Sequence, residues 1–159
     1  MYAKHTVFYD ALSHYFLEYD LFDRERQAFL STSARQQILQ GLPLVSVPVL
    51  FQGELSSHKQ LMGLLGRSHF IQTGHLDRLR ATCIALGLDG ALAIAQTNAS
   101  ELMEGLYIKA ETPELSVARY KYVRADFLNQ ILDSGTHWLH RPIVPNQLHA
   151  DVDMFGAIS

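Results

Sequence analysis

An α+β fold, with antiparallel β-sheets and flanking helices, is predicted by three observations. Tyr15 to Leu30 and Leu106 to Val123 each hold two runs of apolar or β-prone residues about a polar turn, which is the pattern of a hairpin. Between them, apolar residues recur at helical spacing. The composition, 48% hydrophobic and 18% charged over 159 residues, is that of one globular domain of ordinary size.

In chain order, Tyr15 to Asp23 is rich in aromatics and reads as a strand, Asp23-Arg24-Glu25-Arg26 as its turn, and Ala28-Phe29-Leu30 as a short partner strand. Phe16 and Phe22 fit the core side of that strand. A helix is expected from Ser33 to near Leu39, with Ser31, Thr32 and Ser33 competing as N-caps, Gly41 as the stop, and Pro43 preventing continuation. Leu44 to Phe51 is β-branched but carries Pro48, so it is an edge strand or a strand with a break. Ser56 to Gly66 and Asp77 to Leu86 both repeat apolar residues at helical spacing and should pack beside the sheet. Ala91 to Gln96 is ambiguous between strand and short helix. Ala125 to Leu132 reads as a helix ended by Asp133-Ser134-Gly135, and the remainder, with Pro142 and Pro145, as a largely irregular tail.

Composition also excludes functions. A net charge of -3 provides no global basic field, so any nucleic-acid contact must rest on a local patch. The single Cys83 lies in an apolar run and reads as a small buried hydrophobe, which suits a reducing, cytoplasmic setting. No apolar run approaches the roughly 18 residues of a membrane span, and the start lacks a signal-peptide core. Eight histidines invite a metal hypothesis, especially His137 and His140 with His149, Asp151 and Asp153. Without a helix or a second cysteine to frame them, scattered surface histidines are the commoner reading.

The chemistry concentrates in Glu104-Gly105-Leu106-Tyr107-Ile108-Lys109 and, ten residues on, Arg119-Tyr120-Lys121. An acid and three cations on strand-forming sequence read as a polyphosphate and metal site. Arg119 and Lys121, two apart, share a strand face and can grip one anion together. Glu104 is expected just before the strand, with Gly105 letting the backbone bend. It is the candidate ligand for Mg²⁺ or Mn²⁺, because a hard cation prefers carboxylate oxygen. The bland alternatives are solvated hairpin ends for the cations and an ordinary ion pair for Glu104.

Glu104-Gly-Leu-Tyr-Ile-Lys109 resembles nucleotidyltransferase motif IV, and Arg119-Tyr-Lys121 resembles motif V, usually Lys-x-Lys. Upstream, Tyr15-Phe16-Leu17-Glu18-Tyr19-Asp20-Leu21-Phe22-Asp23 is similar to motif IIIa, an apolar strand closing on an aromatic-Asp pair. With Tyr2-Ala3-Lys4-His5 near the start and His137-Trp138 and Arg141-Pro142 near the end, the wording is closest to the ATP-dependent RNA ligases. The resemblance implies part of a nucleotidyltransferase (ATP-grasp-like ligase) domain over residues 1–148, followed by a tail at 149–159. It implies ATP and a divalent cation, with Lys109, Arg119 and Lys121 as catalytic donors around the α-phosphate. Tyr19 would stack on adenine, Asp20 would organise the pocket, and Glu104 would hold the metal. Tyr stands where Phe is usual, and its hydroxyl needs a partner if buried.

The family's nucleophile is the lysine of Lys-x-Asp-Gly, and no such motif is present. The lysines are Lys4, Lys59, Lys109 and Lys121, and Asp89-Gly90 has Gly87 two places before the Asp. The resemblance therefore implies the C-terminal part of an adenylylation domain, inactive alone and served by an upstream polypeptide segment bearing that lysine. Its substrates would be RNA, DNA or nicked-duplex ends. The alternative is a catalytically inactive nucleotide-binding or interaction module derived from the same fold.

Overall fold

Thr112 closes the second hairpin by a reciprocal clamp: its N–H donates to the Leu115 carbonyl at 2.9 Å, and its Oγ1 accepts from the Leu115 N–H at 3.0 Å. In this computed structural model, which describes residues 1–128 and 142–154, the clamp joins two long antiparallel strands. The first hairpin is shorter, and helices occupy the sequence between the two. In chain order the elements are β1 (Phe22–Asp23), β2 (Ala28–Leu30), α1 (Thr32–Leu39), α2 (His58–Met62), α3 (His75–Ala85), α4 (Gly90–Ala95), β3 (Gly105–Glu111) and β4 (Leu115–Val123). The four strands form one antiparallel sheet in the order β1-β2-β4-β3, so the two expected hairpins are halves of a single surface.

Register decides which side chains share a face. Tyr107 lies opposite Lys121 and Lys109 opposite Arg119, while Ile108 and Tyr120 pair on the other face. The register shifts after Ala110, and Glu111 then pairs with Ser116. The bulge leaves Val117 out of register and exposed. On the far side, Ser116 pairs with Phe29 of β2, which joins the hairpins. Residue 104 is a bend immediately before β3, and Gly105 already belongs to the strand. The bend is therefore not supplied by Gly105. Its backbone is needed because a Cβ there would overlap the Tyr122 carbonyl of β4.

Only the end of the expected Tyr15 to Asp23 strand is paired as one. Upstream, Glu18 makes a single parallel bridge: its N–H donates to the Val45 carbonyl, and its carbonyl accepts from Val47 N–H, each at 2.8 Å. Pro43 and Pro48 flank this bridge and have no N–H to donate, so the ladder cannot lengthen and residues 44–51 form no strand. Phe16 and Phe22, expected in the core, are 60% and 44% exposed. Phe22 instead packs edge-on against Phe29 across the β1–β2 hairpin.

Ser31 caps α1 through its Oγ, which accepts from Ala34 N–H at 3.1 Å and donates to the Pro113 carbonyl at 2.8 Å. That second bond fastens the start of α1 to the β3–β4 turn. Of the two helices expected beside the sheet, α2 stops at Met62 before Gly63 and buries no residue. α3 begins at His75, where Gly74 takes a positive φ of 81°, and packs chiefly on α4. The ambiguous segment near Ala91 is this helix α4, capped by Asp89, whose Oδ1 accepts from Ala91 and Leu92 N–H. Leu79, Cys83 and Ala93 from the two helices close around Phe8 and Val144 to form one core cluster. Val7, Ile71 and Phe127 form a second.

Residues 142–149 form no regular element, as expected, yet they are integral to the fold. Asn146 is 3% exposed: its N–H donates to the Tyr2 carbonyl, and its Oδ1 accepts from Tyr9 N–H at 2.9 Å. Residues 125–128 are helical, and the rest of that expected helix, with His137, Trp138, His140 and Arg141, lies outside the described residues. No helix among the described residues is long and apolar enough to cross a membrane.

Candidate functional site

Lys109 and Arg119 are direct cross-strand partners, and like charges placed opposite each other destabilise a sheet. Asp20, from the extended segment before β1, lies between them. Its Oδ1 is 3.3 Å from Lys109 Nζ, and its Oδ2 is 3.3 Å from Arg119 Nη1 and accepts from the Tyr107 hydroxyl at 2.6 Å. The Asp20 carboxylate is 7% exposed, so this contact is made largely out of water. Partial burial, and then the hydrogen bond to Asp20, push the Tyr107 phenol above its ordinary pKa, with Arg119 acting in the opposite direction.

Tyr19 is carried to the same place. Its ring meets Tyr107 edge-to-face at 5.6 Å between centroids and stays 54% exposed, leaving ring surface available to a planar ligand. Arg119 lies 3.5 Å over the Phe29 ring, a cation–π contact. Lys121 faces the same side and is exposed, with no ion pair among the described residues. Five of the six expected site residues, Tyr19, Asp20, Lys109, Arg119 and Lys121, are thus gathered on one face of the β3–β4 hairpin.

The carboxylate of Glu104 finds its partner elsewhere, in the Tyr9 hydroxyl, which donates to Oε1. Tyr9 is held in turn by the Asn146 side chain and by edge-to-face packing on Phe70. Burial first, then the charge of Glu104 and the hydrogen bond to it, raise the Tyr9 pKa far above its ordinary value, so the phenol stays a donor. Among the described residues, no group of three or more His, Cys, Asp or Glu side chains converges as a metal site. One carboxylate oxygen fits a hard cation only when phosphate oxygens and water complete the shell.

Sequence reading missed two members of this face. Tyr107 and Glu111 lie two residues either side of Lys109, and strand alternation by itself places all three together. Glu111 Oε1 is 3.1 Å from Lys109 Nζ and accepts from both the N–H and the hydroxyl of Thr32, each at 2.9 Å. Tyr9 and Asn146 left no comparable signal, because their partners are 95 and 137 residues away. Behind the site, Glu18 and Arg35 form a buried ion pair at 2.6 Å that holds the chain immediately before Tyr19. A separate depression of ≈400 Å³, lined by Phe51, Glu54, Leu55, Gln60, Gly63 and Leu64, includes none of these residues.

The family model for RNA ligase matches residues 1–123, which include Tyr19, Asp20, Glu104, Tyr107, Lys109, Glu111, Arg119 and Lys121 but not Asn146. The chain belongs to the RNA ligase family. No curated protein and no solved structure matches the chain. The RNA ligase match ends at the last residue of β4, so the sheet, α1 and the Asp20 segment all lie inside it.

Proposed function

We propose that this chain is part of an ATP-dependent RNA ligase, which joins 5′-phosphate to 3′-hydroxyl ends through lysyl-AMP and adenylylated nucleic-acid intermediates. The observation that carries the reading is the convergence of Tyr19 and Asp20 from one segment with Lys109, Arg119 and Lys121 from another on a single sheet face. These are the residues the RNA ligase resemblance singles out.

In this reading Arg119 and Lys121 meet the phosphates first, because they are the exposed cations of the cluster. Lys109, 9% exposed and already ion-paired, supplies charge from beneath. Fixed donors aimed at the α-phosphate stabilise the charge that grows as the bond to pyrophosphate breaks, and each is worth about 2–4 kcal/mol of barrier. The half-exposed Tyr19 ring provides the surface for adenine. The divalent cation, bound by Glu104 together with phosphate oxygens and water, would neutralise the triphosphate. The nucleophilic lysine comes from an upstream polypeptide, since Lys-x-Asp-Gly is absent from this sequence.

The test is covalent labelling with α-labelled ATP and Mg²⁺ or Mn²⁺. The chain alone should remain unlabelled, and addition of a polypeptide carrying Lys-x-Asp-Gly should produce a labelled lysine. Label on the isolated chain would show that one of its own four lysines is the nucleophile. Retained ATP binding without any restored labelling would instead assign the chain as an inactive nucleotide-binding or interaction module.

A further inference from the structure

The site carries its own substitute for the ligand it is built to hold. Lys109, Arg119 and Lys121 supply three positive charges, and Asp20 and Glu111 set two negative charges directly against the first two of them. Asp20 is shared between Lys109, Arg119 and Tyr107, so its withdrawal would undo three contacts at once. Glu111 is different. Its Oε1 is anchored to the first residue of α1 by two hydrogen bonds that do not involve Lys109. It can lose the ammonium and keep its seat.

We infer that Glu111 is a resident counter-ion for Lys109, which the phosphate of an incoming nucleotide displaces; the inference rests on the nucleotide reading above. Two consequences follow from the geometry. Glu111 positions Lys109 while the site waits, because the ammonium is held from two sides by Asp20 Oδ1 and Glu111 Oε1. It also lowers the affinity of the site for polyphosphate, because its negative charge opposes the ligand's and its hold on Lys109 must be given up. The anchoring on Thr32 makes the device reusable: when phosphate leaves, the carboxylate is still 3.1 Å from where Lys109 returns. This sets Glu111 apart from a general structural acid, whose removal would weaken ligand binding.

The experiment compares wild type, Glu111→Gln and Glu111→Ala in the full chain. Gln retains an amide oxygen for the Thr32 donors and removes only the charge, whereas Ala removes both. Binding of inorganic tripolyphosphate and of MgATP is measured by calorimetry, and the rate of Lys109 acetylation by mass spectrometry. Glu111→Gln should bind both probes about 3- to 10-fold more tightly, from loss of one like charge within several ångströms of the ligand. Its Lys109 should also acetylate faster than in wild type. Glu111→Ala should show the same direction at reduced thermal stability. Unchanged or weaker polyphosphate binding by Glu111→Gln, or unchanged Lys109 acetylation, would overturn the counter-ion role alone. If no variant, wild type included, binds either probe, the nucleotide reading fails and takes this inference with it.

Discussion

Arg35→Met should be among the most damaging single substitutions outside the sheet, and its cost can be worked from the contacts. Arg35 and Glu18 are 2% and 6% exposed, and their atoms are 2.6 Å apart. Glu18 Oε2 also accepts from the Ser46 hydroxyl at 2.9 Å, but Glu18 Oε1 and Arg35 Nε have no hydrogen-bond partner among the described residues. Deleting Arg35 leaves a buried carboxylate with one neutral donor, which costs about 3–5 kcal/mol. For a chain of this size that lowers Tm by roughly 6–20 °C. Because the pair is under-satisfied, its own desolvation is poorly offset. Replacing both partners, as Glu18→Leu with Arg35→Met, should therefore be near neutral or cost about 1–2 kcal/mol, mostly the lost Ser46 bond. Urea denaturation of wild type, both single variants and the double variant forms a closed cycle, with an expected coupling of at least about 2 kcal/mol. If the double variant is as unstable as the sum of the singles, the two side chains act independently and the reasoning fails.

Three further outcomes are expected. Lys121→Ala should weaken MgATP binding about tenfold or more, the worth of one hydrogen bond to a charged group, and leave Tm unchanged because this side chain is exposed; calorimetry and a thermal melt check both halves. Gly105→Ala forces a Cβ into the Tyr122 carbonyl of the neighbouring strand, so thermal unfolding should show a loss of at least about 3 kcal/mol or failure to fold. Tyr9→Phe should cost about 1.5–3 kcal/mol at neutral pH through the lost bond to Glu104. Because the folded Tyr9 phenol titrates above its ordinary value, its stabilisation is complete below about pH 10 and is lost as pH rises beyond that. Alkaline denaturation of Tyr9→Phe should therefore begin at higher pH, relative to its neutral-pH stability, than that of wild type.

Much of the site was legible because it depends on local periodicity. A period of two puts Lys109 beside Tyr107 and Glu111 on one face, and Arg119 beside Lys121, whatever the rest of the chain does. Ser31 as a cap and Cys83 in the core follow from equally local rules. Where expectation failed, a distant partner was responsible. The strand over residues 15–21 shrank to one bridge because its neighbour carries Pro43 and Pro48. Gly105 proved to answer a close approach by β4, not a bend in its own chain.

The amino-acid order alone therefore determined the fold class, the second hairpin with its charged face, and membership of the RNA ligase family. Only the folded chain decided that Asp20 spans Lys109 and Arg119, that Glu111 joins Lys109 to α1, and that Glu104 turns to Tyr9. The physical reason is range. Alternation and capping are set by neighbours within a few residues, whereas a carboxylate's partner is whichever donor the packed chain brings within hydrogen-bond distance, here from about 90 residues away.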